Sequence, residues 1–118
     1  MKKITITLFA LICFIANGQS YTEKDISIGQ LKGTLSVPNE KTDVAVLIVA
    51  GSGPTDRDGN SAMGFQNNSL KMVAQGIAEA GYAVLRFDKR GISESKEAVS
   101  NPADIRFENF VEDTKSWL

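Results

Sequence analysis

Two loops hold most of the residues whose types and spacing could do chemistry. The first, "VLIVAGSGPTDRDGN" over Val46–Asn60, is an apolar run that stops at Gly51 and turns into glycines, a proline and alternating charges. The second, "FDKRGISES" over Phe87–Ser95, closes another apolar run with an acid, two bases, a glycine and two serines. A glycine-rich turn straight after a buried strand can cradle a phosphate, hold a metal ion, or offer backbone N–H groups to an anion made during catalysis. The neighbouring residues decide among these.

A phosphate loop of the Walker type needs two glycines followed by Lys and Ser or Thr, and the dinucleotide fingerprint needs a third glycine opening a helix. Here Gly51 and Gly53 are followed by Pro54, Thr55 and Asp56. For a cation, Asp56, Asp58 and Asn60 supply oxygens, but the twelfth position counted from Asp56 is Asn67, which cannot close the shell as a carboxylate would. The chain has no histidine and its single cysteine is Cys13, so soft ligands for transition metals are missing. No metal and no cofactor are expected, and the aspartates are expected to cap their own turn. An oxyanion hole fits better: Gly51 and Gly53 let the backbone come close, and the N–H of Ser52 is presented between them.

The nucleophile signals are weak. "GISES", Gly91–Ser95, has Ser95 where a nucleophile elbow ends in glycine, and it follows the strand at a distance. "SESK", Ser93–Lys96, matches an S-x-x-K string without its partner motifs. Without histidine the chain has no general base for a Ser-His-acid triad. Asp88, Lys89 and Arg90 are expected to form a solvated turn with a local ion pair, and Gly91 to serve the turn itself.

The elements that must position these loops follow from periodicity. Residues 25–28 and 31–37 alternate around Gly29 and predict an antiparallel hairpin. "VAVLIV", Val44–Val49, is apolar at every position and predicts an internal strand buried on both faces. Leu70, Val73 and Ile77 stand at helical spacing after the cap candidates Asn67, Asn68 and Ser69, with Gly81 as the stop. "YAVLRF", Tyr82–Phe87, predicts a second strand. A final amphipathic helix carries Phe107, Phe110, Val111, Thr114, Trp117 and Leu118 on one stripe, with Glu108, Glu112 and Asp113 off it or near its favourable N-terminal end. Hairpin followed by βαβα describes an α/β chain with a mixed, mostly parallel sheet.

At 118 residues, 42% hydrophobic and 23% charged, the chain is at most one ordinary domain. Its start, "MKKITITLFALICFIANGQS", has Lys2 and Lys3, an apolar run to Ala16 and small residues at Ala16 and Gly18, the pattern of a secretory signal peptide over residues 1–18. The run is shorter than a spanning helix needs, so export to the periplasm or outside is expected without a stable membrane anchor. Without Lys2 and Lys3 the formal charge falls from −1 to −3, which gives no footprint for nucleic acid. The apolar stripe still runs at Leu118, so a truncated product is expected.

Together, the "AGSGPTDRDGN" loop and "RFDKRGISES" resemble the first half of an α/β-hydrolase, and in particular secreted or soluble carboxylesterase-like members, over roughly residues 26–118. The resemblance implies that residues 19–118 are the N-terminal part of such a domain, with Ser52 giving one backbone oxyanion donor, supported by Gly51 and Gly53. The loop holding Asp88, Arg90 and Gly91 would form a second wall near the active site. The full enzyme would act on a small-molecule ester through an acyl-enzyme, while this chain alone, lacking the nucleophile elbow and histidine, would be inactive. Ala50 stands where many relatives have histidine, which a backbone donor does not need. Ser93 stands where they have glycine, so a positive φ there would be strained. The alternatives are a small exported ligand- or Ca-binding module, and a peptidase or acyltransferase on the same fold.

Overall fold

The computed structural model describes residues 18–118, so the signal peptide assigned to residues 1–18 lies, apart from Gly18, outside the described residues. Strands β1 (Tyr21–Ile28) and β2 (Leu31–Pro38) form the expected antiparallel hairpin, with Gly29 at φ +56° in its turn. Strand β3 (Ala45–Ile48) runs into helix α1 (Ser69–Glu79) through the first loop, and β4 (Ala83–Phe87) returns parallel to β3. The four strands form one mixed sheet in the order β1-β2-β4-β3. Two short 3₁₀ turns, Ser93–Ala98 and Pro102–Asp104, lead to helix α2 (Phe107–Ser116). The chain is an α/β protein, with α1 on one face of the mixed sheet and the Trp117 side chain, just past the end of α2, on the other.

Register assigns those faces. Ser36, Val84 and Val46 line up across the sheet on one side, and Leu35, Leu85 and Leu47 on the other. Helix α1 covers the first side, where Ala74 and Ala78 are fully buried with Val84 and Tyr21, and Val46, Ile48 and Ile77 close in around them. Small residues carry this contact, rather than Val73, which is half exposed, because alanine lets the helix backbone come close to the sheet. The second side is covered where Trp117 stacks on Phe87, ring centroids 5.6 Å apart, over Gly33. A Cβ on Gly33 would meet the Trp117 ring at 3.3 Å and the Arg86 carbonyl at 3.0 Å.

One expectation is corrected here. The apolar strand β3 is not internal: it lies at the sheet edge, with Val44 and Val49 each 51% exposed, because the described residues supply no strand beyond it and α1 covers one face. The apolar stripe running along and just past α2 is only partly covered: Phe110, Thr114 and Trp117 are half-buried, while Phe107 is 76% and Leu118 90% exposed. The most buried residue of that helix is instead Asp113, drawn inward by an arginine.

Ser93 adopts φ +47°, in the left-handed region that favours glycine. The sequence concern about this position is therefore met, since a side chain there crowds its own carbonyl at a cost of about 1–2 kcal/mol. Ser93→Gly is expected to raise stability by about 0.5–1 kcal/mol after the added freedom of the unfolded glycine is subtracted. Urea titration checks this, and a loss of stability would mean that the backbone there is not strained.

Candidate functional site

The first loop is a chain of tight turns. Asp56 caps it, its Oδ1 accepting from the N–H of Asp58 at 2.9 Å and of Asn60 at 2.8 Å, as expected for an aspartate capping its own turn. Asp58 faces the other way and accepts from Arg86 Nε at 2.8 Å. Arg86 is buried on the hairpin side and also reaches Glu23 at 3.0 Å. With Asp56 taken by backbone amides and Asp58 by an arginine, calcium is expected neither to bind tightly nor to raise Tm. Micromolar binding by calorimetry, lost in Asp58→Ala, would overturn this.

Ser52 is exposed at the head of the loop. Among the described residues its backbone N–H and that of Gly53 have no hydrogen-bond partner, while the Thr55 N–H closes back on the Gly53 carbonyl at 2.8 Å. Gly51 and Ser52 form one wall of a cavity of 410 Å³ whose other walls include Val49, Phe87, Lys89, Phe107 and Phe110. A Cβ built on Gly51 would meet no atom within 4 Å, and on Gly53 only Thr55 Oγ1 at 3.7 Å. Packing within the described residues therefore does not demand glycine at either place.

The second loop is not the solvated turn expected from its charges. Asp88 is 1% exposed and accepts from the Arg57 N–H at 2.7 Å, from Arg57 Nη1 at 2.8 Å and from the Glu94 N–H at 3.3 Å. Burial pushes its carboxyl above the usual carboxylate range, with the bonds from Arg57 opposing. For Arg57, burial works against the charge, but Glu94 at 2.5 Å, with Asp88 and Asp25, outweighs it and holds the guanidinium above its ordinary pKa. Arg90 forms a two-pronged pair with Asp113, Nε to Oδ2 at 2.7 Å and Nη2 to Oδ1 at 2.5 Å, which raises the arginine pKa. Gly91, at φ +80°, has Ile105 and Val99 methyls at 3.2 Å from where a Cβ would stand, so the turn requires it. The reason for the correction is reach: Asp88 and Arg90 find their oppositely charged partners 23 or more residues away in sequence, which local composition does not reveal.

Lys89 is also buried, 7% exposed, and its ammonium donates to the carbonyls of Gly51 and, at 2.6 Å, Gly53. Burial holds its pKa below that of a free lysine. The structure thus joins the loops by two devices, Asp88 with Arg57 and Lys89 with the glycine carbonyls. Ser52 and Lys89 share the cavity, while Arg90 is tied to α2 and Gly91 lies in a separate hollow with Pro54 and Asn60.

The chain is 36% identical over 90 residues to Esterase EstD of Thermotoga maritima. The match takes in 75% of this chain but only 21% of that relative's length. It is a partial similarity, and it suggests an esterase-like relationship. No family model matches the chain, and no solved structure matches it.

Sequence reasoning missed Arg57, Arg86 and Lys89 as organisers of the site. One signal was present: Arg86 interrupts an otherwise apolar strand, and a charge there must find partners. Arg57 and Lys89 carry no such mark, since each stands in a polar loop. The "GISES" serine gains nothing from the structure: Ser93 opens a 3₁₀ turn six residues beyond β4, and the fully buried Ser95 spends its hydroxyl oxygen accepting from the Lys32 N–H at 2.9 Å.

Proposed function

We propose that this chain is the N-terminal part of an exported α/β-hydrolase whose full length cleaves carboxylic esters through an acyl-enzyme, with the Ser52 N–H as one oxyanion donor. One observation carries the proposal: the Ser52 amide is unpaired among the described residues, at the edge of a cavity, on a turn whose carbonyls are held by a cation. Tetrahedral intermediates of acyl transfer need donors fixed in place before the reaction, and an unpaired amide on an anchored turn meets that need. The open space beside Gly51 supports it as well, since room that internal packing does not use is room for another group to approach. The similarity to an esterase points the same way, and the Lys-Lys-apolar start supports export.

In this division of labour the chain supplies a donor and its support, and the nucleophile and its base come from elsewhere, because no histidine is present. The test is hydrolysis of p-nitrophenyl acetate and butyrate by the full-length protein, with covalent labelling by a fluorophosphonate that modifies activated serines. Turnover and labelling are expected there, and neither in residues 19–118 alone. Absence of both in a folded full-length protein would sink the proposal. Turnover of peptides or acyl transfer to an acceptor, without ester hydrolysis, would move it to a peptidase or acyltransferase.

A further inference from the structure

Lys89 is an unusual place for a positive charge. Its side chain is almost wholly covered, it has no carboxylate within bonding distance among the described residues, and it donates instead to two main-chain carbonyls of another loop. Taking an ammonium out of water is costly, and two carbonyls offset that cost less fully than a carboxylate would. Packing alone does not explain it, since a methionine would fill the same volume without the charge.

The carbonyls that Lys89 holds are informative. Each peptide unit is planar and trans, so C=O and N–H point in opposite directions. The Gly51 carbonyl belongs to the same unit as the Ser52 N–H. Drawing that carbonyl to the ammonium therefore turns the Ser52 N–H away from it and fixes the unit against rotation, which the flanking glycine would otherwise allow. The Gly53 carbonyl belongs to the unit leading to Pro54, which has no N–H, so the second bond pins the far end of the turn without using a donor. A carbonyl bonded to a cation also polarises its own amide and makes that N–H a stronger donor.

We propose that Lys89 is the positioning residue of the oxyanion hole: by gripping the Gly51 and Gly53 carbonyls it aims and polarises the Ser52 N–H. This rests on the function proposed above for Ser52, and it adds a side chain from the second loop to a donor in the first. Lys89 itself does not touch substrate in this scheme.

The experiment is a double-mutant cycle in the full-length protein, with Lys89→Met, Ser52→Pro and the pair, each first checked for native circular dichroism, on p-nitrophenyl butyrate. Lys89→Met is expected to lower kcat by roughly 10- to 100-fold with KM within about twofold, and Lys89→Arg to recover part of it. In the pair, the loss is expected to be no greater than in Ser52→Pro alone, because both changes remove the same donor. If Ser52→Pro lowers kcat but Lys89→Met does not, or if the two losses multiply, Lys89 has no role through Ser52 and the inference falls while the function stands. If Ser52→Pro itself keeps full activity, the assignment of Ser52 falls and takes this inference with it. Should Lys89→Met not fold, the unmodified protein decides by NMR. The Gly51 carbonyl ¹³C and Ser52 amide ¹⁵N resonances are expected to move together as the Lys89 amine loses its proton, with Asp88 next in sequence and Arg106 on the same cavity as the other charges nearby. Resonances indifferent to that titration would overturn it.

Discussion

Ser52→Pro is expected to lower kcat for the ester hydrolysis proposed for the full-length protein by about 10²- to 10³-fold, while Ser52→Ala is expected to stay within a few-fold of the parent. The two substitutions separate backbone from side chain. Alanine keeps the N–H, whereas proline removes it, and deletion of one oxyanion donor typically costs about 3–4 kcal/mol of transition-state stabilisation. The structure offers no other task for the Ser52 side chain, which is exposed and makes no hydrogen bond among the described residues. Proline also fixes φ, so the comparison needs matched circular dichroism and Tm. Abolished turnover in a folded Ser52→Ala protein would mean that the hydroxyl does the chemistry. Near-full activity in both variants would mean that the turn is only a turn.

The second large effect is on stability. Asp88→Ala is expected to cost about 3 kcal/mol, because it leaves Arg57, mostly covered, short of one carboxylate and leaves the Arg57 and Glu94 amides without an acceptor. Arg57 keeps Glu94, which holds the figure at the lower end of what breaking a buried pair costs. Asp88→Asn keeps one oxygen for the Arg57 N–H and is expected to recover roughly half. The control is Asp25→Ala: its carboxylate is 85% exposed and 3.9 Å from Arg57, so a change within about 0.5 kcal/mol is expected. Urea denaturation of the three variants checks the order. Equal, small effects at Asp88 and Asp25 would show that the two loops hold together without the buried pair.

These variants probe one architectural fact, that a loop after β3 and a loop after β4 are locked together at the same end of two parallel neighbours. In a parallel pair, successive strand ends lie side by side, and whatever follows them must share space. Evidence of this sharing is chemical as well as spatial: Asp88 takes the Arg57 amide, and Lys89 takes the Gly51 and Gly53 carbonyls.

Much of the local structure was already determined by sequence. Gly29 between two alternating runs dictated the hairpin, the apolar run before Gly51 dictated a strand, and Gly81 dictated the end of α1, because turn geometry and side-chain period act over a few residues. Ser52 could be singled out for the same reason, as the residue between two glycines at a strand end. The strain at Ser93 was signalled only through the resemblance, whose members carry glycine at that position, because a serine by itself gives no sign of a positive φ. Tertiary structure alone decided the rest. Edge exposure of β3 depends on which strands are present beside it, and Asp88, Arg90 and Asp113 found their ion-pair partners, and Lys89 its two carbonyls, only when distant loops and α2 met. Electrostatic partners are chosen by proximity in space, and no pattern along the chain records a proximity that folding creates.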